Sequence, residues 1–325
     1  YEKIRQAVEG KSASSAVKSR ILTWALGVGK AHRAETLAGK VPGGLALKLA
    51  NKLVFGKIRE AFGGEAKVFV SGGAPLGMDS AGWFADAGIR IFEGYGLTET
   101  SPVISLNYPD AHRIGTVGKA LANLQCRFAE DGELEVKGPS IFIGYWKKDK
   151  ETAEAFTPDG WFKTGDIGNI DGDGFLSITD RKKELLKTSG GKMIAPQPIE
   201  NKLKANTLVG QAALVGDKHK FACVLISPNF AALEEWASGH GVLTSDRAAM
   251  VKDAKVEKAY QEIVDRVNLG LAHFESIKRV YVVPDEWSVE TGELTPSMKL
   301  KRRVVEQTYS DEIARFYMDE AAAKA

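Results

Sequence analysis

Two cysteines and five histidines are all that 325 residues offer of the side chains most used for metal and thiol chemistry. Cys126 and Cys223 show no ligand or redox spacing, which excludes a disulfide framework and fits a reducing compartment. His32, His112, His219, His240 and His273 are scattered, without the short intervals that bring two imidazoles onto one cation. Long apolar runs are missing too. No segment approaches the roughly 18 residues needed to span a bilayer, and the first residues lack the charged, apolar and small-residue order of an export leader. A cytoplasmic location is the expectation. Excess charge is equally scarce: 44 Lys and Arg stand against 42 Asp and Glu, which gives no ground for a nucleic-acid partner. No hydrolase elbow is present, and "GVGKAH" lacks the upstream glycine and the following Ser or Thr of a phosphate-binding P-loop.

What is present is an ordinary globular composition, 44% hydrophobic and 26% charged, enough for two domains or one large domain with an appendage. Residues 1–62 carry apolar side chains at helical spacing, as in Leu45, Leu49 and Leu53, interrupted by glycine. Within them, Lys11 to Glu60 holds ten basic residues against Glu35 and Glu60. Such a stretch suits either the solvent face of helices or peripheral contact at the inner face of a membrane. From Lys67 the pattern changes: "KVFVSGGAPLG" reads as a strand and a glycine loop, "DSAGWFADAGI" as a helix, and "IRIFEGYG" as a second strand. Strand, helix, strand predicts a parallel α/β unit, whose ligands gather at the carboxyl ends of its strands.

From Thr116 to Thr179 short strands and turns are expected, with "DGDG" (Asp171 to Gly174) as a hairpin turn, because a calcium loop needs an acidic twelfth position that "FLSIT" displaces. Beyond Asp180 the chain reads as mixed α/β: a helix in "APQPIENKLKA", strands in "QAALVG", "FACVLISP" and "RVYVVP", and helices up to about residue 273. The expected division is residues 1–179, a hinge at 180–183, and a small lid domain at 184–325.

Four motifs remain: "EGYGLTETSP" after the second strand, "TGD" at 164–166, "DRKKELLKTSGGK" at 180–192, and "PSMKLKRR" at 296–303. In this order they resemble the adenylate-forming superfamily, and most nearly the bacterial long-chain fatty-acid CoA ligases. The resemblance implies an α/β fold: the latter part of the large nucleotide-binding domain followed by a small mobile α+β domain. It also implies a reaction in which ATP activates a fatty-acid carboxylate as acyl-AMP and coenzyme A then displaces AMP.

By the same resemblance, Tyr95 stacks on the adenine. Ser71, Gly72, Gly73, Ala74 and Pro75, together with Glu93, Gly94, Gly96 and Ile178, line the nucleotide. Glycine suits such a lining because it leaves room for a ring. Thr98 meets the α-phosphate and Glu99 holds Mg²⁺, a hard cation that accepts carboxylate and phosphate oxygens together. Asp166 accepts the ribose hydroxyls, and Arg181 adds donors from its planar fork. Lys299 matches the catalytic lysine, which stabilises developing charge. Met298 stands where most relatives have glycine, and Lys301 is the alternative. Lys183 corresponds to the hinge, while Ser189, Gly190, Gly191 and Lys192 correspond to the loop that admits the pantetheine arm of CoA.

The family's Ser/Thr/Gly-rich loop for the β- and γ-phosphates lies about a hundred residues or more upstream of the tyrosine loop. Only 94 positions precede Tyr95, none with that composition. Tyr1 is also not an initiator methionine. The chain is therefore expected to be the C-terminal part of a longer polypeptide and to form little acyl-adenylate without its N-terminal part. Two other readings stay open, an acyl-AMP ligase that serves a carrier protein and a non-catalytic AMP-binding module. The first expects an inserted segment, and the compact stretch from Thr100 to Thr164 shows none.

Overall fold

The computed structural model of the protein describes residues 1–242, 244, 246–296 and 298–318. Ser297 of the "PSMKLKRR" motif and residues 319–325 of the expected lid domain lie outside them. The chain divides into two compact units, Tyr1–Lys182 and Lys183–Ala325.

The first unit opens with helices α1 (Glu2–Ala13), α2 (Ala16–Ala31), α3 (Arg33–Leu37), α4 (Leu45–Ala50) and α5 (Gly56–Glu60), the last two joined by a π-helical turn at Asn51–Phe55. Then come β1 (Phe69–Ser71), α6 (Met78–Asp86) and β2 (Ile91–Gly96). The Gly29 of "GVGKAH" serves helix packing: a Cβ there would lie 1.9 Å from the carbonyl oxygen of Asp86. Arg33 fixes the same contact with a two-pronged pair to the Asp86 carboxylate, at 2.6 and 2.7 Å. Ala25, Leu47, Phe55, Ile58, Trp83, Phe84 and Ile91 close the core beneath the helices.

Strands β1 and β2 are parallel, Ser71 opposite Glu93, as the strand–helix–strand pattern predicts. β3 (Val103–Leu106) and β4 (Lys119–Ala120) extend that sheet antiparallel. A second, wholly antiparallel sheet contains β5 (Gln125–Phe128), β6 (Glu133–Lys137), β7 (Phe162–Ile170) and β8 (Leu176–Arg181), with α7 (Asp149–Ala155) between β6 and β7. Ile104, Leu124, Leu134, Val136 and Leu176 form one buried cluster, and Tyr95 and Ile178 both pack against it. The "DGDG" segment is the β7–β8 turn. Asp171 Oδ1 accepts the N–H groups of Asp173 and Phe175, and Arg113 pairs with both Asp171 and Asp173.

The second unit begins with a hairpin, β9 (Leu186–Lys187) and β10 (Met193–Ile194), then α8 (Pro196–Lys204), β11 (Val209–Val215), β12 (Ala222–Pro228), α9 (Phe230–Gly239), α10 (Arg247–Met250), α11 (Ala254–Asn268), β13 (Ile277–Val282), α12 (Arg302–Thr308) and α13 (Ser310–Phe316). β12 is the central strand, antiparallel to β11 and parallel to β13. It is buried throughout, which is why "ACVLIS" reads as an unbroken apolar run rather than an alternation. Ala222, Val224 and Ile226 face the core under α8, α9 and α11, while Cys223 and Leu225 face the core under α12 and α13. α11 is amphipathic. Val256, Tyr260, Ile263 and Val264 are its buried stripe, and Asp253 caps its start by accepting Lys255 N–H at 2.8 Å.

Candidate active site

The loop that follows β2 is built on glycine because the chain crosses itself closely there. A Cβ on Gly96 would lie 1.7 Å from Pro102 O, and one on Gly94 would lie 2.9 Å from Leu106 Cδ1 of β3. The two glycines therefore leave room for the neighbouring chain on that side. A polar turn follows. Thr98 opens a 3₁₀ turn, Thr98–Thr100, with its side chain exposed. Thr100 is fully buried, accepting Leu97 N–H at 3.0 Å and donating to Pro102 O at 2.6 Å. Of the loop's threonines, one is structural and one is presented outward.

Tyr95, Asp166 and Arg181 come together from three strands in two sheets. The Tyr95 hydroxyl donates to Asp166 Oδ2, and Arg181 Nε lies 3.4 Å from Asp166 Oδ1. Asp166 and Arg181 are also paired in register across β7 and β8. Burial first, then the charge of Asp166, raises the Tyr95 phenol above its ordinary value, so it remains a donor. The "TGD" backbone is tied down on each side. Thr164 Oγ1 donates to Leu134 O at 2.8 Å and accepts Asp166 N–H at 3.1 Å. Gly165 N–H donates to Glu133 Oε1 at 2.9 Å, and Glu133 Oε2 takes Lys182 Nζ at 2.7 Å.

Ser71 ends β1 and Gly72 to Pro75 form an exposed loop beside it, with Gly72 against the Gly94 carbonyl. The loop's far end is held by Glu93, whose buried Oε2 accepts Leu76 N–H at 3.1 Å. Burial pushes this carboxyl up to about 7, although hydrogen bonds from Leu76 and Gly115 oppose the shift. Glu93 thus reaches the loop from beneath rather than from its exposed side. Glu99 is partly exposed on the 3₁₀ turn, and Tyr145 donates to its Oε1 at 2.9 Å.

The remaining expected residues belong to the second unit, which Lys183 opens. Ser189, Gly190, Gly191 and Lys192 form the exposed tip of the β9–β10 hairpin. Thr188 closes that tip by accepting Lys192 N–H at 3.0 Å, and a neighbouring turn braces it through Ser189 N–H to His219 O at 2.8 Å and Lys218 N–H to Lys187 O at 2.7 Å. Lys299 is exposed, its N–H donating to Thr295 Oγ1 at 3.0 Å. Met298 has φ +60°. That is the left-handed region, which explains why glycine is at home before this lysine. Leu300 packs into the core between Lys299 and Lys301, so both lysines point away from it.

Among the described residues no group of three or more His, Cys, Asp or Glu side chains could enclose a metal ion, and no helix is long and apolar enough to cross a membrane. The roles of Glu133 beneath Gly165 and of Tyr145 beside Glu99 have no signature in spacing. Their partners lie 32 and 46 positions away.

Residues 20–146 match the AMP-binding enzyme family, and residues 183–321 match the AMP-binding enzyme C-terminal domain. The chain belongs to this adenylate-forming family. Over 98% of its length it is 40% identical to the long-chain-fatty-acid–CoA ligase FadD15 of Mycobacterium bovis, of which it covers 54%. Among solved structures it resembles ATP-bound MatB from Rhodopseudomonas palustris, with 28% identity and a TM-score of 0.58 over 76% of this chain and 46% of that one. It also shares the fold of the adenylation domain of a Mycobacterium chelonae carboxylate reductase, at 24% identity and a TM-score of 0.67 over 90% of this chain and 45% of that one. The chain spans about half the length of the curated relatives it matches.

Proposed function

We propose that this chain supplies the adenylate-binding and lid portions of a long-chain fatty-acid–CoA ligase. The convergence of Tyr95, Asp166 and Arg181 carries this reading, and the 40% identity to FadD15 favours a fatty-acid substrate. Tyr95, held by Asp166, offers its ring to the adenine beside Ser71, Gly72, Gly73, Ala74 and Pro75, with Ile178 on the same packed cluster. Asp166 accepts the ribose hydroxyls, Arg181 adds donors, and Thr98 points its hydroxyl toward the α-phosphate.

Glu99 suits Mg²⁺, because a single partly exposed carboxylate leaves most positions for phosphate oxygens and water, the donor set this ion favours. When bound, the ion offsets phosphate charge. In adenylation a fatty-acid carboxylate oxygen bonds to the α-phosphorus and the bond to pyrophosphate breaks, while Lys299 stabilises the charge that develops. In the second step the CoA sulfur bonds to the acyl carbon and AMP leaves. Rotation at Lys183 replaces Lys299 by the Ser189–Lys192 tip between the two steps. The groups for the departing pyrophosphate come from the preceding part of a longer polypeptide. Peripheral membrane contact through the basic helices, where Trp24, Leu45 and Leu49 are exposed among lysines, belongs to the same reading and is tested by sedimentation with anionic liposomes.

Calorimetry with AMP or a long-chain acyl-sulfamoyl adenosine tests the nucleotide site. The wild-type chain is expected to bind, and Asp166→Ala to lose at least tenfold in affinity. Equal affinity for the two chains overturns the assignment. Joined to its preceding part, the protein is expected to make palmitoyl-CoA from palmitate, ATP and CoA by mass spectrometry. Acyl transfer to a carrier protein alone overturns the CoA half of the reading.

A further inference from the structure

The segment between β6 and α7 grips the turn that carries Glu99 at two points. Phe142 N–H donates to the Glu99 carbonyl at 2.8 Å, and Tyr145 Oη donates to Glu99 Oε1 at 2.9 Å. The grip is itself anchored. The Phe142 ring meets Tyr145 edge-on at 4.8 Å, stacks on Phe156 at 5.7 Å and meets Phe162 edge-on at 5.3 Å. Tyr145 N–H is bound to Thr152 Oγ1 of α7 at 2.9 Å. Glu99 has no ion-pair partner among the described residues, and its Oε2 has no hydrogen-bond partner among them.

We propose that Tyr145 is a positioning residue that selects the rotamer of Glu99, occupying one carboxylate oxygen and turning the other toward a nucleotide-bound divalent cation. The proposal rests on the reading of Glu99 as the cation's carboxylate. A carboxylate on an exposed turn samples several rotamers, and a donor fixed by its own neighbours removes that freedom before the ion arrives. Tyr145→Phe deletes the hydroxyl alone and keeps the ring on Phe142, so packing and positioning separate cleanly.

The experiment is a Mn²⁺ titration of this chain at saturating AMP, followed by electron paramagnetic resonance, with AMP affinity in EDTA and thermal unfolding measured alongside. Tyr145→Phe is expected to weaken Mn²⁺ binding roughly tenfold, with AMP affinity in EDTA and the unfolding midpoint unchanged. Glu99→Gln is expected to abolish the AMP-dependent Mn²⁺ site. Should Glu99→Gln lose the site while Tyr145→Phe stays within twofold of wild type, the positioning role is overturned and the Glu99 reading stands. Mn²⁺ binding that survives Glu99→Gln, or is absent from the wild type, overturns the Glu99 reading and the positioning role with it. A fall in AMP affinity or unfolding midpoint that matches the loss of Mn²⁺ binding shows Tyr145 to be structural and likewise overturns the proposal.

Discussion

The Tyr95 phenol donates to Asp166 Oδ2 across 71 positions of sequence, so the proposed adenine platform and the proposed ribose acceptor are one hydrogen-bonded unit. Tyr95→Phe keeps the ring and removes the tether. AMP affinity is expected to fall about two- to fivefold in that variant, and tenfold or more in Tyr95→Ala, where the stacking surface goes as well. Calorimetry on the three chains checks the order, and equal losses from both variants would contradict it.

Glu93 makes the first unit sensitive to pH. Its carboxyl titrates at about 7 in the fold against an ordinary 4.5, so the folded chain holds a proton that the unfolded chain has released between those values. Its contribution to stability is full below about 4.5, declines as pH rises, and is lost above about 7. Glu93→Gln keeps an acceptor for Leu76 N–H without the charge. Urea unfolding is expected to show this variant more stable than wild type by roughly 1–3 kcal/mol at pH 8, with little difference at pH 4.5. Parallel stability curves across that range would refute the assignment.

Met298 holds a backbone conformation that costs an L-residue roughly 1–2 kcal/mol. Met298→Gly removes this cost and adds unfolded-state freedom in partial offset. A net gain of about 0.5–1 kcal/mol is expected in the unfolding of the second unit, and Met298→Ala is expected to show none of it.

Arg302 opens α12 with its guanidinium bound to Glu200 Oε1 at 2.7 Å and to Leu214 O at 2.6 Å; Glu200 is buried and Arg302 is mostly so. Arg302→Met leaves the Glu200 charge uncompensated, which typically costs about 3–5 kcal/mol. Adding Glu200→Gln is expected to recover part of that loss. Hydrogen exchange of the β11 and β12 amides provides the readout, and additive losses would show that the two side chains are not coupled.

Part of the candidate site was legible because Tyr95, Asp166 and Arg181 sit on strands, and the strands announce themselves. The apolar start of β2 before Gly94, the alternating "FKTGD" strand and the unbroken "ACVLIS" run all reflect burial that leaves a trace in the sequence. Supporting contacts leave no such trace. The resemblance implies that Glu93 lines the nucleotide, whereas its hold on Leu76 from the buried side depends on how β2 packs. The same is true of Tyr145 and Glu99, where two ordinary polar residues meet through tertiary folding alone. The π-helical turn at Asn51–Phe55 escaped for a related reason, because one extra residue per turn is too short a departure for an apolar pattern to register.

Lys182 closes the first unit with its ammonium between Asp131 Oδ2, at 2.5 Å, and Glu133 Oε2, at 2.7 Å, and its N–H on Gly165 O at 2.8 Å. Side chain and main chain are thus both moored at the last residue before the proposed pivot, and Glu133 shares that mooring with the "TGD" backbone. A turn at Lys183, as proposed, would start just beyond a residue held by both its side chain and its main chain. Under the proposed reading, the residues assigned to the ribose, Asp166 and Arg181, therefore sit on the moored side of the pivot, and a nucleotide held there need not be released when the chain turns beyond Lys182.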